Sequence, residues 1–93
     1  MYDSLEAILC EALEQASSGK GKERHSTGNA FEDQPMQKLC DLYGIGFALG
    51  QAAKKSQESQ RLPYERARAE LLGAIVYTAG AIIAMDRHKK EKG

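Results

Sequence analysis

The sequence predicts an all-α fold in which a three-helix subunit assembles as a helical oligomer. Three observations carry that expectation: apolar residues recur at three- and four-residue intervals, prolines stand where first helical turns begin, and one stretch of fifteen residues, Leu71 to Met85, holds no charge. A chain of 93 residues makes one domain. At that size only about 60–65% of the unfolded surface is buried, so help from a second subunit is expected.

The first helix is placed at about residues 3–17. Leu5, Ile8, Leu9, Ala12, Leu13 and Ala16 share one face, while Glu6, Glu11 and Glu14 point away. Asp3 or Ser4 caps its start, and Ser17-Ser18-Gly19 ends it. The second helix is placed at about 33–57, with Asp33 as N-cap and Pro35 in the first turn, where no N–H is needed. Gly44, Gly46 and Gly50 lie inside it, each costing about 0.5–1 kcal/mol relative to alanine. Close helix approach repays that cost in the simplest account, and a kink at Gly44–Gly46 is the alternative. The third helix is placed at about 63–88, followed by a basic tail over 87–93. Its uncharged run is shorter than the 18 or more residues of a membrane span. Apolar all round, it must be covered all round, and two short helices cannot do that. Helices two and three are therefore expected to pack between copies of the chain.

Thirteen basic and thirteen acidic residues cancel, so no global field draws the chain to a nucleic-acid polymer or an anionic membrane. Cys10 and Cys40 lack the spacing of a disulfide framework or a metal motif and read as buried, reduced thiols. No charged-apolar-small leader opens the sequence. A cytoplasmic protein is expected.

The chemistry is expected in the long basic loop, residues 17–33, since structureless connections beyond about 12–15 residues are mostly functional or disordered. Lys20, Lys22 and Arg24 alternate with Gly19, Gly21 and Glu23. Glycine allows sharp backbone turns, and the cations then converge on a small anion. Arg24 suits bidentate phosphate contact, and His25 and Gln34 supply directional hydrogen bonds. Phe31 offers a stacking face, and Glu32 orients Arg24 or reads a ligand edge. Competing readings are a solvated loop, with Phe31 as a packing staple and Asp33 as a cap. The spacing matches neither the phosphate loop of nucleoside triphosphatases nor the dinucleotide glycine turn. No nucleophile–base arrangement or metal-ligand set emerges, so no catalytic residue, metal or cofactor is assigned.

Two resemblances accompany these residues. The run Gly19-Lys20-Gly21-Lys22-Glu23-Arg24-His25 followed by Phe31-Glu32-Asp33-Gln34-Pro35-Met36, continuing into Gly50-Gln51-Ala52 and Glu70–Ile75, resembles small uncharacterised bacteriophage proteins. That resemblance implies no established activity, though it makes a sponge for a nucleotide immune signal, an anti-defence role, an expectation. The layout of helices two and three is also similar to the all-α MazG-type nucleotide pyrophosphohydrolases, whose paired carboxylates hold magnesium. Here Asp41-Leu42-Tyr43-Gly44 and Glu70-Leu71-Leu72-Gly73-Ala74 lack the second carboxylate. The leading expectation is thus a non-catalytic oligomeric protein that sequesters a small anion such as a nucleotide. The alternatives are a magnesium-dependent pyrophosphohydrolase using Asp41, Glu32, Glu58 or Glu70, and a protein–protein module.

Overall fold

A computed structural model describes residues 1–17 and 35–92, 89% of them helical and none in a strand. Four helices are present among the described residues: α1 (Asp3–Ser17), α2 (Pro35–Tyr43), α3 (Gly46–Ser59) and α4 (Tyr64–Lys92). The all-α class stands, and the first helix has its expected bounds. The single second helix does not.

Its break lies at Gly44, whose φ of 84° falls in the left-handed region that glycine enters without a Cβ penalty. The Gly44 N–H donates to the Cys40 carbonyl, closing the last turn of α2, and the Phe47 N–H donates back to the Gly44 carbonyl as α3 begins. The kink reading therefore holds at this position. Close approach does not explain Gly44, Gly46 or Gly50, because a Cβ built on any of them meets nothing within 4 Å. The approaches occur instead on α4. A Cβ on Gly80 would fall 2.6 Å from the Met36 sulfur, and one on Gly73 would fall 3.1 Å from Lys55 Cδ. Gly73 is thus spoken for within the subunit.

The described part of α4 continues past its expected end, so residues 87–92 are helix rather than a separate tail. α4 is the strut on which the others lie. α3 runs antiparallel to it, with Phe47 edge-on to Tyr77 and Lys55 beside Glu70 at the other end. The turn between them is closed by N–H groups of Gln60, Arg61 and Leu62 donating to Gln57, Glu58 and Ser59 carbonyls. α2 runs parallel to α4, with Gln37 at Gly80 and Asp41 at Arg87 and His88. α1 rests on the early turns of α4, where Arg68 holds Glu11 and the Ala69 carbonyl accepts from Gln15.

The main core gathers Met36, Cys40, Ala48, Ala81 and Ala84, with Ile45, Phe47, Val76 and Tyr77 packed around it. Among the described residues, five of the eight buried hydrophobic ones are alanines, whereas twelve large hydrophobic ones are exposed. Small side chains inside bring the helices close and leave the large ones outside. On α1 the expected apolar face is only partly used: Ala12 is buried, yet Leu5, Leu9 and Leu13 are exposed, because the helix leans on α4 by the edge that carries Glu11 and Gln15. Cys40 is buried as expected, and Cys10 is exposed. By length and composition Tyr64–Glu91 is also apolar enough to cross a membrane, with mean hydropathy 1.5 in its best eighteen-residue window. The expectation of a shorter apolar stretch is corrected to that extent.

The glycines separate two effects that a stability measurement distinguishes. Gly44→Ala is expected to cost roughly 1–2 kcal/mol in urea unfolding, the penalty of a Cβ in the left-handed region. Gly50→Ala is expected to stabilise by about 0.5–1 kcal/mol, since the site is helical and open. Equal effects of the two substitutions would show that the break at Gly44 is absent in solution.

Candidate functional site

The residues expected to hold a ligand, Lys20, Lys22, Arg24, His25, Phe31, Glu32 and Gln34, lie outside the described residues, as do Asp33 and most of the 17–33 loop. The described residues show what flanks them. α1 ends at Ser17, whose hydroxyl donates to the Leu13 carbonyl, and α2 starts at Pro35. Pro35 occupies the first position of its helix, as its missing N–H favours. Both flanking helices are fastened to α4.

The fastening of α2 is the most built polar arrangement in the described structure. Gln37 is fully buried and satisfied at both ends. Its amide nitrogen donates to the Gly80 carbonyl at 3.1 Å, and its oxygen accepts from Arg87 Nη1 at 3.1 Å. The other arm of Arg87 donates to Asp41 Oδ2 at 2.9 Å, and His88 Nε2 lies 3.3 Å from Asp41 Oδ1. One guanidinium thus clasps two successive turns of α2. Burial pushes the Asp41 carboxyl up, but hydrogen bonds from His88 and Arg87, with their charges, outweigh it and hold the group below its ordinary value. Burying an amide costs free energy unless its polar atoms are met, so this clasp also fixes the register of α2.

Two further ion pairs tie the remaining helices to α4. Lys55 Nζ lies 3.1 Å from Glu70 Oε2 and 5.9 Å from the centre of the Tyr77 ring. Arg68 grips Glu11 with both nitrogens, at 2.6 and 2.7 Å. The hydrogen bond from Arg68, against some burial and with its charge added, lowers the Glu11 carboxyl from its usual value and raises the guanidinium.

These pairs bear on the magnesium reading. Asp41 meets α4 at Arg87, and Glu70 stands seventeen positions earlier on that helix (87 against 70). At 1.5 Å per residue that is roughly 25 Å, too far for one cation. Each carboxylate already faces a basic side chain. Glu58 sits near the α3–α4 turn, its carbonyl accepting from Arg61. Among the described residues no three His, Cys, Asp or Glu side chains converge as ligands.

Sequence reasoning passed over Gln37, Arg87 and His88. A signal was available in part: Gln37 and Asp41 are four residues apart on one helix face, opposite an arginine–histidine pair that had been assigned to a tail. What the spacing lacks is the pairing of α2 with the far end of α4.

Two measurements follow from the clasp. Arg87→Ala is expected to cost about 1–3 kcal/mol, because the buried Gln37 oxygen loses its donor. The Asp41 carboxyl, depressed in the folded state, contributes stability that is complete above its unfolded value and lost as pH falls through the lower folded value. Acid unfolding below about pH 4 is therefore expected to flatten in Asp41→Asn; superimposable wild-type and variant curves would remove Asp41 from the clasp.

Comparison of the chain with protein-family models, curated proteins and solved structures returns no match in any of the three.

Proposed function

We propose that this protein is a non-catalytic binding protein that self-associates and sequesters a small anionic ligand, a nucleotide by the chemistry of its basic segment. The observation that carries the reading is the inversion of side-chain size: alanines fill the inside of the subunit while Leu71, Ile82 and Met85 on α4 stay exposed. A core built from alanines stabilises a chain weakly, at about 0.8 kcal/mol per buried CH₂ group, and the exposed large side chains are where further burial is available. Lys20, Lys22 and Arg24 supply charge for phosphates, and His25, Gln34, Phe31 and Glu32 supply direction and stacking.

The resemblance of the 19–36 run to small bacteriophage proteins fits such a sponge, with a nucleotide immune signal of the host as its natural ligand and the host cytoplasm as its place of action. The separation of Asp41 from Glu70, and the engagement of each with a cation, weigh against a pyrophosphohydrolase. In the protein–protein module the same loop would meet a protein partner and no nucleotide would stabilise the fold.

Native mass spectrometry of protein purified from cells is expected to show more than one subunit with intact nucleotide retained. Added nucleotide is expected to raise the melting temperature, since a ligand specific for the folded state stabilises it. Arg24→Ala is expected to weaken calorimetric binding by about 1.5–3 kcal/mol without changing the subunit number. A panel of nucleotides that leaves the melting temperature unmoved would overturn the reading.

A further inference from the structure

The inward face of α4 is fully assigned. Gly73 and Tyr77 meet α3, Gly80 and Arg87 meet α2, and Ala84 lies in the core between them. Arg68 and Ala69 meet α1. The opposite face carries Leu71, Ile75, Thr78, Ile82 and Met85, spaced by four, three, four and three residues. On a helix of 3.6 residues per turn these five fall within roughly 80° of arc. A repeat averaging 3.5 residues keeps such a stripe on one seam when two helices coil together. Leu71 is 46% exposed, and Ile82 and Met85 are each 55% exposed.

Charge says what covers the stripe. α1 carries Asp3, Glu6, Glu14 and the Arg68-bound Glu11 and no basic residue, and it lies beside the first turns of α4, where Glu65 and Glu70 balance Arg66 and Arg68. The far end of α4 carries exposed Lys89 and Lys90, which together with Arg87 outnumber the exposed Asp86 and Glu91 there. A second copy laid antiparallel brings the basic end of each α4 to the acidic α1 of the other. Parallel copies would bring acidic beside acidic and basic beside basic, which favourable association avoids. Lipid fits less well. The face opposite the stripe carries Glu70 and Arg87 and packs against Lys55 and Asp41, ionisable groups that are costly in hydrocarbon.

Resting on the self-association proposed above, the geometry points to one seam for it: the outer stripe of α4 pairs with the same stripe of a second copy, antiparallel and centred on Thr78, so that Leu71 faces Met85 of the other copy. The pairing is isologous, each stripe being its own partner after a two-fold rotation. Leucine and methionine then fill the ends of the seam, and Thr78 and the neighbouring Ala79 leave the middle narrow.

The test uses the full chain with Cys10→Ser and the buried Cys40 retained. Leu71→Cys and Met85→Cys variants, co-expressed and mildly oxidised, are expected to cross-link to each other, and each expressed alone is expected not to. In the antiparallel seam Leu71 and its own copy stand roughly 21 Å apart, beyond disulfide reach. Ile82→Lys is expected to lower the mass in light scattering to that of a smaller species while circular dichroism stays helical. Self-cross-linking of Leu71→Cys would overturn the antiparallel arrangement. An oligomer that ignores Ile82→Lys and forms no mixed cross-link would overturn the seam and leave self-association standing. A monomer in solution would overturn both, and a monomer that floats with lipid vesicles would assign the stripe to a bilayer.

Discussion

The close approach permitted by small residues on α4 is the constraint from which the rest of this structure follows. Gly80 lets Met36 and Gln37 come down onto the helix, and Ala81 and Ala84 continue the same flat surface. A methionine sulfur placed where a Cβ would stand cannot be accommodated beside a larger residue, so α2 can dock at that level only. Docking there puts Asp41 opposite Arg87 and His88, and puts the Gln37 amide against the Gly80 carbonyl. Packing selects the register, and the polar clasp then holds it.

That arrangement has an energetic consequence. Ion pairs open to solvent contribute roughly 0–1 kcal/mol each and covered ones also lose hydration, so the three part-buried pairs that tie α1, α2 and α3 to α4 orient those helices more than they stabilise them. Burial must supply the remainder, and alanine supplies little of it. The long side chains that would supply more, among them Leu5, Leu9 and Leu13 on α1, are exposed. A subunit built this way gains more from a neighbour than one whose large residues already face inward.

Much of this was legible in the sequence, and the boundary is physical. The helical class, the bounds of α1, the first-position proline of α2 and the burial of Cys40 follow from local periodicity and from what proline and small residues permit. The break at Gly44 was visible only as one of two uses for a glycine, because a missing Cβ serves a left-handed turn and a close approach equally well. Which use applies depends on what lies within 4 Å, and that is a property of the partner helix. The same holds for Gln37 and Arg87. Their residue types are ordinary, and only the parallel docking of α2 on the end of α4 joins them. Lys20, Lys22, Arg24 and the other expected ligand contacts lie outside the described residues, so their case rests on residue chemistry and on the flanks at Ser17 and Pro35.

Those flanks still constrain how binding and assembly relate. α1 reaches α4 at Arg68 and Ala69, and α2 reaches it at Gly80, so both ends of the basic segment are referred to one rigid helix. From Ala69 to Gly80 is eleven residues, or roughly 16 Å along its axis. The outer stripe of that strut faces away from α2 and α3 and does not depend on the clasp at Arg87. The pairing proposed along the stripe uses a face of α4 apart from the clasp, which is why Ile82 tests it separately from the binding proposed at Arg24.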